Sequence, residues 1–93
     1  METKDIIKAK QLCTIYNIPQ SFVEDLTEYQ LLDFVRQDDE LYLSHEHLGM
    51  FEKLIRLHYE LDINYEGLDV IMNLMQRIEE MEAEIRRLRN RMF

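Results

Sequence analysis

Apolar residues recur along this chain with a period that changes from segment to segment. Ile6 and Ile7 are a short apolar pair able to start a strand. Ala9, Leu12, Cys13 and Tyr16 then follow at three- and four-residue spacing, one face of a short helix. Asn17 stands where a turn needs a left-handed residue, a conformation asparagine tolerates better than most. Pro19 can begin a second helix, where its missing N–H costs little. Phe22, Val23 and Leu26 form the buried face of that helix, joined near its end by Leu31 or Leu32. Phe34 and Val35 on one side, and Leu41, Tyr42 and Leu43 on the other, flank the polar stretch "RQDDE" and predict a small two-stranded wing.

Ser44 is placed to cap a third helix through "HEHLGMFEKLIRLHYEL". Leu48, Phe51, Leu54, Ile55, Leu57 and Leu61 give it a wide apolar stripe, so it should be the central packing helix. The triplet "DIN" ends it, and Asn64 can cap a last helix from Tyr65 onward. Gly67 in the first turn costs about 1 kcal/mol relative to alanine. Close approach to the preceding helix is the expected reason.

The last helix changes period again. Ile71, Ile78, Ile85 and Met92 are seven apart, as are Leu74, Met81 and Leu88. These are a and d positions of a heptad repeat, a narrow seam suited to another helix of the same kind. They are the expected dimerisation residues. Paired in parallel, Arg77 would meet Glu82 and Glu84 would meet Arg89. Paired antiparallel, the acids Glu79–Glu84 could face the bases Arg86–Arg91. Charge does not choose between the two. The predicted architecture is mainly α. It comprises a winged helix-turn-helix over residues 1–62, with a small β-hairpin wing, and a long C-terminal heptad helix over 63–93.

Charge alters the picture at one place. The net charge is −8, and residues 20–40 hold Glu24, Asp25, Glu28, Asp33, Asp38, Asp39 and Glu40 against the single base Arg36. That segment carries −6 and the remainder −2. Affinity for nucleic acid rests mainly on neutralising phosphates with Lys and Arg, so this surface should repel a duplex and attract a basic protein. Two Gly and one Pro fit long regular elements. The lone Cys13 excludes an internal disulfide or a cysteine metal cluster, and its small-residue slot suggests a structural thiol. No signal-peptide pattern and no run near 20 apolar residues is visible, so a cytoplasmic protein without a membrane partner is expected.

Little else reads as chemistry. His45 and His47 have a two-residue spacing that can serve a metal on a strand, but no third ligand accompanies them. His58, among apolar neighbours, reads as a core-edge histidine. No phosphate-binding Gly loop, nucleophile motif or metal-ligand set occurs, so neither catalysis nor a cofactor is expected. The C-terminal arginines could touch nucleic acid, but the four nearby acids Glu79, Glu80, Glu82 and Glu84 on the same helix favour a solvated face.

Two stretches carry a resemblance. "KQLCTIYNIPQSFVEDLTEYQLL", followed by a wing and a long helix, resembles the N-terminal winged helix-turn-helix of MerR-type regulators. "LIRLHYELDINYEGLDVIMNLMQRIEEMEAEIRRLRNRM" is similar to the C-terminal half of the CbpM chaperone-modulator family, in which an "RLHYEL" segment, a break, a Gly-containing helical turn and a heptad helix follow in this order. The resemblance implies a modulator that binds the J domain of a CbpA/DnaJ-type co-chaperone, limits its action on Hsp70 and restrains its DNA binding. It departs from the DNA-reading pattern where such proteins place an Arg near the start of the second helix. Here stand Glu24 and Asp25. The expected partner surface comprises Glu24, Asp25 and Glu28 exposed together, Asp38 and Asp39 at the wing tip, and Tyr29 and Tyr42 as aromatic anchors. The helix and wing acids should form one acidic cleft. The competing reading is a dimeric MerR-type transcriptional regulator.

Overall fold

The computed structural model describes residues 5–92. The elements follow one another as β1 (Ile6–Lys8), α1 (Ala9–Tyr16), α2 (Gln20–Glu28), β2 (Val35–Gln37), β3 (Glu40–Ser44), α3 (Leu48–Ile55) and α4 (Tyr65–Met92). A 3₁₀ turn at His45–His47 precedes α3 and a π-helical turn at Arg56–Glu60 follows it. The fold is mainly helical, as the pattern predicts.

The wing is larger than a hairpin. β2 and β3 pair antiparallel with Val35 opposite Tyr42, and β1 adds to the free side of β3 with Ile7 opposite Leu43. The sheet therefore has three strands in the order β1-β3-β2. Asp38 and Asp39 make the hairpin turn with φ of 51° and 63°. Both central residues are left-handed, as a two-residue turn matching strand twist requires, and aspartate tolerates this conformation.

α1 and α2 end alike. Asn17, left-handed at φ 56°, lets its own N–H reach the Thr14 carbonyl and that of Ile18 reach Cys13. Gln30, at φ 57°, does the same at the end of α2, with Gln30 N–H donating to Thr27 O and Leu31 N–H to Leu26 O. Both are Schellman motifs, here without the usual glycine. Pro19 lies one residue ahead of α2 rather than inside it, extended at ψ 153°, and its carbonyl accepts from the Phe22 N–H.

The core gathers one side of every element. Leu12, Phe22, Leu26, Leu43, Phe51, Leu54 and Leu68 are fully buried, with Ala9, Cys13, Val23, Leu31 and Leu32 beside them. Burying side chains of this size contributes roughly 1.5–3 kcal/mol each. Leu31 and Leu32 both reach it. α4 joins the core through Leu68, with Ile63, Tyr65 and Met72 against its edge.

The third helix departs from its expected form. Ser44 precedes the 3₁₀ turn, and its side chain makes no capping bond. After Ile55 the helix widens, and Leu61 N–H donates to Arg56 O at 3.2 Å, a five-residue step. The widening turns Leu61 outward, so it is exposed instead of completing the apolar stripe. Asp62 closes the turn at φ 56°, and Ile63 N–H reaches back to Leu57 O.

Asn64 caps α4 as expected, with its Oδ1 accepting from the Gly67 N–H at 2.8 Å. Gly67 has a more local reason than the expected one. A Cβ there would lie 2.7 Å from Ile63 Cγ2 and 3.1 Å from Asn64 Oδ1. It makes room for the capping segment, not for the preceding helix.

Candidate functional site

α2 occupies the second-helix position of the helix-turn-helix, and its burial pattern fixes what it shows to solvent. Phe22, Val23 and Leu26 face inward, leaving Gln20, Ser21, Glu24, Thr27 and Glu28 outside. No Lys or Arg lies between Gln20 and Tyr29.

The expected acids do not stay together. Glu24 and Glu28 are exposed, one turn apart. Asp25 is half-buried on the other flank of α2, beside the Tyr65 hydroxyl. The residue between Glu24 and the core-facing Leu26 has to turn this way on a helix, which the sequence count did not separate.

A groove of about 180 Å³ joins α1, α2 and the wing. Glu24, Asp39 and Glu40 line it, so the helix and wing acids do meet, but Lys10 and Arg36 line it too. Lys10 Nζ lies 3.0 Å from Glu40 Oε1. The cleft is thus mixed in charge rather than purely acidic. Lys10 arrives from α1, and Arg36 sits on β2 opposite Leu41, which places both beside the acids. Asp38, at the turn, is exposed. Tyr42 is half-buried on the central strand, between Lys8 and Val35, and is not a free anchor.

The aromatic feature lies elsewhere. Phe22 stacks on His58 at 5.4 Å and 26°, His58 on Tyr65 at 4.6 Å and 25°, and Tyr65 on Tyr29 at 5.1 Å and 19°. Tyr59 tilts against Phe22 and His58. The cluster thus runs from a fully buried ring to Tyr29, which keeps 41% of its surface exposed. The π-helical turn supplies two of the rings. His58 Nδ1 is 2.8 Å from the Ile63 carbonyl, so Nδ1 carries a proton and bridges the turn to the α4 cap. Positions 22 and 29, and 58 and 65, are each seven apart, but the two pairs and Tyr59 come from separate parts of the chain that only the fold brings together.

Four tyrosines hold their protons more tightly than free tyrosine. Burial comes first for Tyr65, then the Asp25 carboxylate. Burial also leads at Tyr59, while Glu66 leads at Tyr29, followed by burial, Glu28 and Asp25. The hydrogen bond to Glu52 leads at Tyr16. A raised folded-state pKa favours the folded chain until the unfolded tyrosines begin to ionise. The tyrosine contribution to stability should therefore be level below pH 10, the ordinary tyrosine value, and fall as pH rises through the raised values. A far-ultraviolet titration with tyrosinate absorbance should show unfolding and ionisation together. Tyr65→Phe, which has no proton to lose, should show a shallower alkaline fall.

Along α4, Leu74, Ile78, Met81, Ile85, Leu88 and Met92 are all exposed, and Ile71 is half-buried near the body. The expected seam therefore lies on one open strip of a helix. Among the described residues no group of three or more His, Cys, Asp or Glu could hold a metal ion. None of the described helices is long and apolar enough to cross a membrane.

The family model described as "MerR HTH family regulatory protein" matches residues 7–90. That span runs from β1 to the last turn of α4. The chain belongs to the MerR helix-turn-helix regulatory family. No curated protein and no solved structure matches it. In this MerR-family chain the helix-turn-helix is formed by α1 and α2, the wing by the β1-β3-β2 sheet, and the extension by α4.

Proposed function

We propose that this MerR-family chain is a non-enzymatic docking module. In this reading it binds the J domain of a CbpA/DnaJ-type co-chaperone, limits its action on Hsp70 and works as a homodimer joined along α4. One observation carries the reading: the exposed side of α2 offers Glu24 and Glu28 and no base, beside a wing tip of two aspartates. A surface of this sign attracts a basic helix and steers its approach, adding more to association rate than to raw affinity. The "RLHYEL" segment and the heptad helix supply the link to chaperone modulators. The exposed seam supports self-association.

Calorimetry with a purified J domain tests it. Wild type should bind, and Glu24→Lys with Glu28→Lys should weaken binding with little change in melting temperature, because exposed charges contribute little to folding. Binding should also weaken with salt, since such charges are screened over about 8–10 Å.

Membership of a regulatory family keeps a second reading in view, a dimeric transcription factor. Arg86, Arg87, Arg89 and Arg91 could then approach phosphates. Generic duplex affinity is about 10⁻⁴–10⁻⁶ M at physiological salt. A sequence-selective gel shift far below that range, with no J-domain binding, would replace the first reading by the second.

A further inference from the structure

Tyr29 combines three properties that are independent of one another. First, it is exposed yet backed by a ring, since Tyr65 stacks on it at 5.1 Å and is itself stacked on His58. Second, it is held in place. Tyr29 is the last residue before the left-handed Gln30, and its N–H donates to Asp25 O while the two Schellman bonds close around it. Third, its neighbours are acids. Glu28 precedes it, and Glu66 follows the ring it stacks on; both are exposed. Neither helix provides a neutralising base here, since α2 has none and α4 has none before Arg77.

We propose that Tyr29, backed by Tyr65 and flanked by Glu28 and Glu66, is the docking point for an arginine side chain of a basic partner helix. The inference rests on the protein-docking reading above and moves its centre from the wing groove to the junction of α2 and α4. A guanidinium is flat, so it can lie on the tyrosine ring and still donate to a carboxylate at the ring's edge. A lysine ammonium is a strongly hydrated point charge and gains less from a flat surface. A phosphate backbone would meet the same carboxylates as like charges. A purely apolar partner would strip water from Glu28 and Glu66 without pairing them, which is costly. Of these candidates, the arginine side chain alone satisfies ring and acids together. Because the Schellman end fixes Tyr29 beforehand, little ordering is left for the moment of binding.

The full chain is tested with two probes. One is the J domain. The other is an alanine-based helical peptide carrying arginines four apart, together with its lysine counterpart. Tyr29→Ala should weaken J-domain binding about tenfold or more, the scale of a desolvated cation–ring contact. Tyr29→Phe should bind nearly as wild type, because the ring remains. Glu66→Gln should fall between them. The arginine peptide should shift the Tyr29 and Glu66 amide resonances and bind several-fold tighter than the lysine peptide, and Tyr29→Ala should erase that preference. Should the J domain bind Tyr29→Ala as tightly as wild type while Glu24→Lys with Glu28→Lys abolishes binding, the docking point is wrong and the J-domain reading stands. Should the J domain fail to bind wild type while the arginine peptide behaves as described, the docking point stands and the partner is misassigned. Equal binding of both peptides, unaffected by Tyr29→Ala, would overturn the arginine site whatever the J domain does.

Discussion

Phe22→Ala should remove a large share of the folding stability of this chain. The ring is fully buried and has four aromatic neighbours: Phe51, His58, Tyr59 and Tyr65. Truncating a buried Phe typically costs about 3–5 kcal/mol, and small domains have about 5–15 kcal/mol in total. Phe22 should lie at the upper end, because it joins α2 to both the π-helical turn and the start of α4. Those elements rest on rings, which cannot collapse into the space as aliphatic chains can. In urea the midpoint should fall steeply with little change in slope, since the surface exposed on unfolding is nearly the same. Ile15→Ala is the matched control, because Ile15 is 70% exposed. Its effect should stay within about 0.5 kcal/mol, as for other surface substitutions. A Phe22→Ala midpoint close to wild type would mean that the aromatic cluster contributes little to folding.

Replacing Ile78 and Ile85 with Asp should leave the protein monomeric and shorten its helix. Both side chains are about half exposed and sit mid-seam. Four buried carboxylates per dimer would have no partner, since each faces an apolar seam, and an unpaired buried charge is not sustained. A second effect should accompany the first. Past Met72, α4 lies outside the core cluster, and most helical stability in proteins comes from packing of an apolar face rather than from helix propensity. Sedimentation should therefore move to the monomer mass while far-ultraviolet helical signal falls, with the Phe22 core intact by near-ultraviolet absorbance of its tyrosines. Wild-type protein sedimenting as a monomer at tens of micromolar would overturn the dimer.

Local features were legible in the sequence because one residue or one period decides each of them. Asn17 and Asn64 mark helix ends by their own conformational and hydrogen-bonding capacity. The heptad predicts an open strip because its period is that of the helix surface. Three kinds of information were not local. The apolar pair Ile6–Ile7 signals a strand, but its pairing with Ser44, Leu43 and Tyr42, far along the chain, is set by the fold alone. The π-helical turn has the composition of ordinary helix, and only its five-residue hydrogen bond and the outward Leu61 reveal it. Counting charge by segment placed Asp25 with Glu24, whereas the helix separates them, and it missed Lys10, which reaches the acids from another element. Of the residues at the proposed docking point, the sequence singles out Tyr29 and Glu28, while Tyr65, Glu66 and His58 join them only through the fold.

α4 has a mechanical consequence. From Leu68 in the core to Met92 it contains neither Gly nor Pro, so it has no joint. At 1.5 Å per residue it extends about 37 Å, and the chain's radius of gyration is 15.8 Å against about 13 Å for a compact chain of similar length. Tyr65, which backs Tyr29, sits in the first turn of this same rod. Whatever grips the far end therefore sets the direction in which Tyr29 points, with no slack between handle and fingertip. A flexible tether would let the docking face search through many orientations; this rod presents it in one.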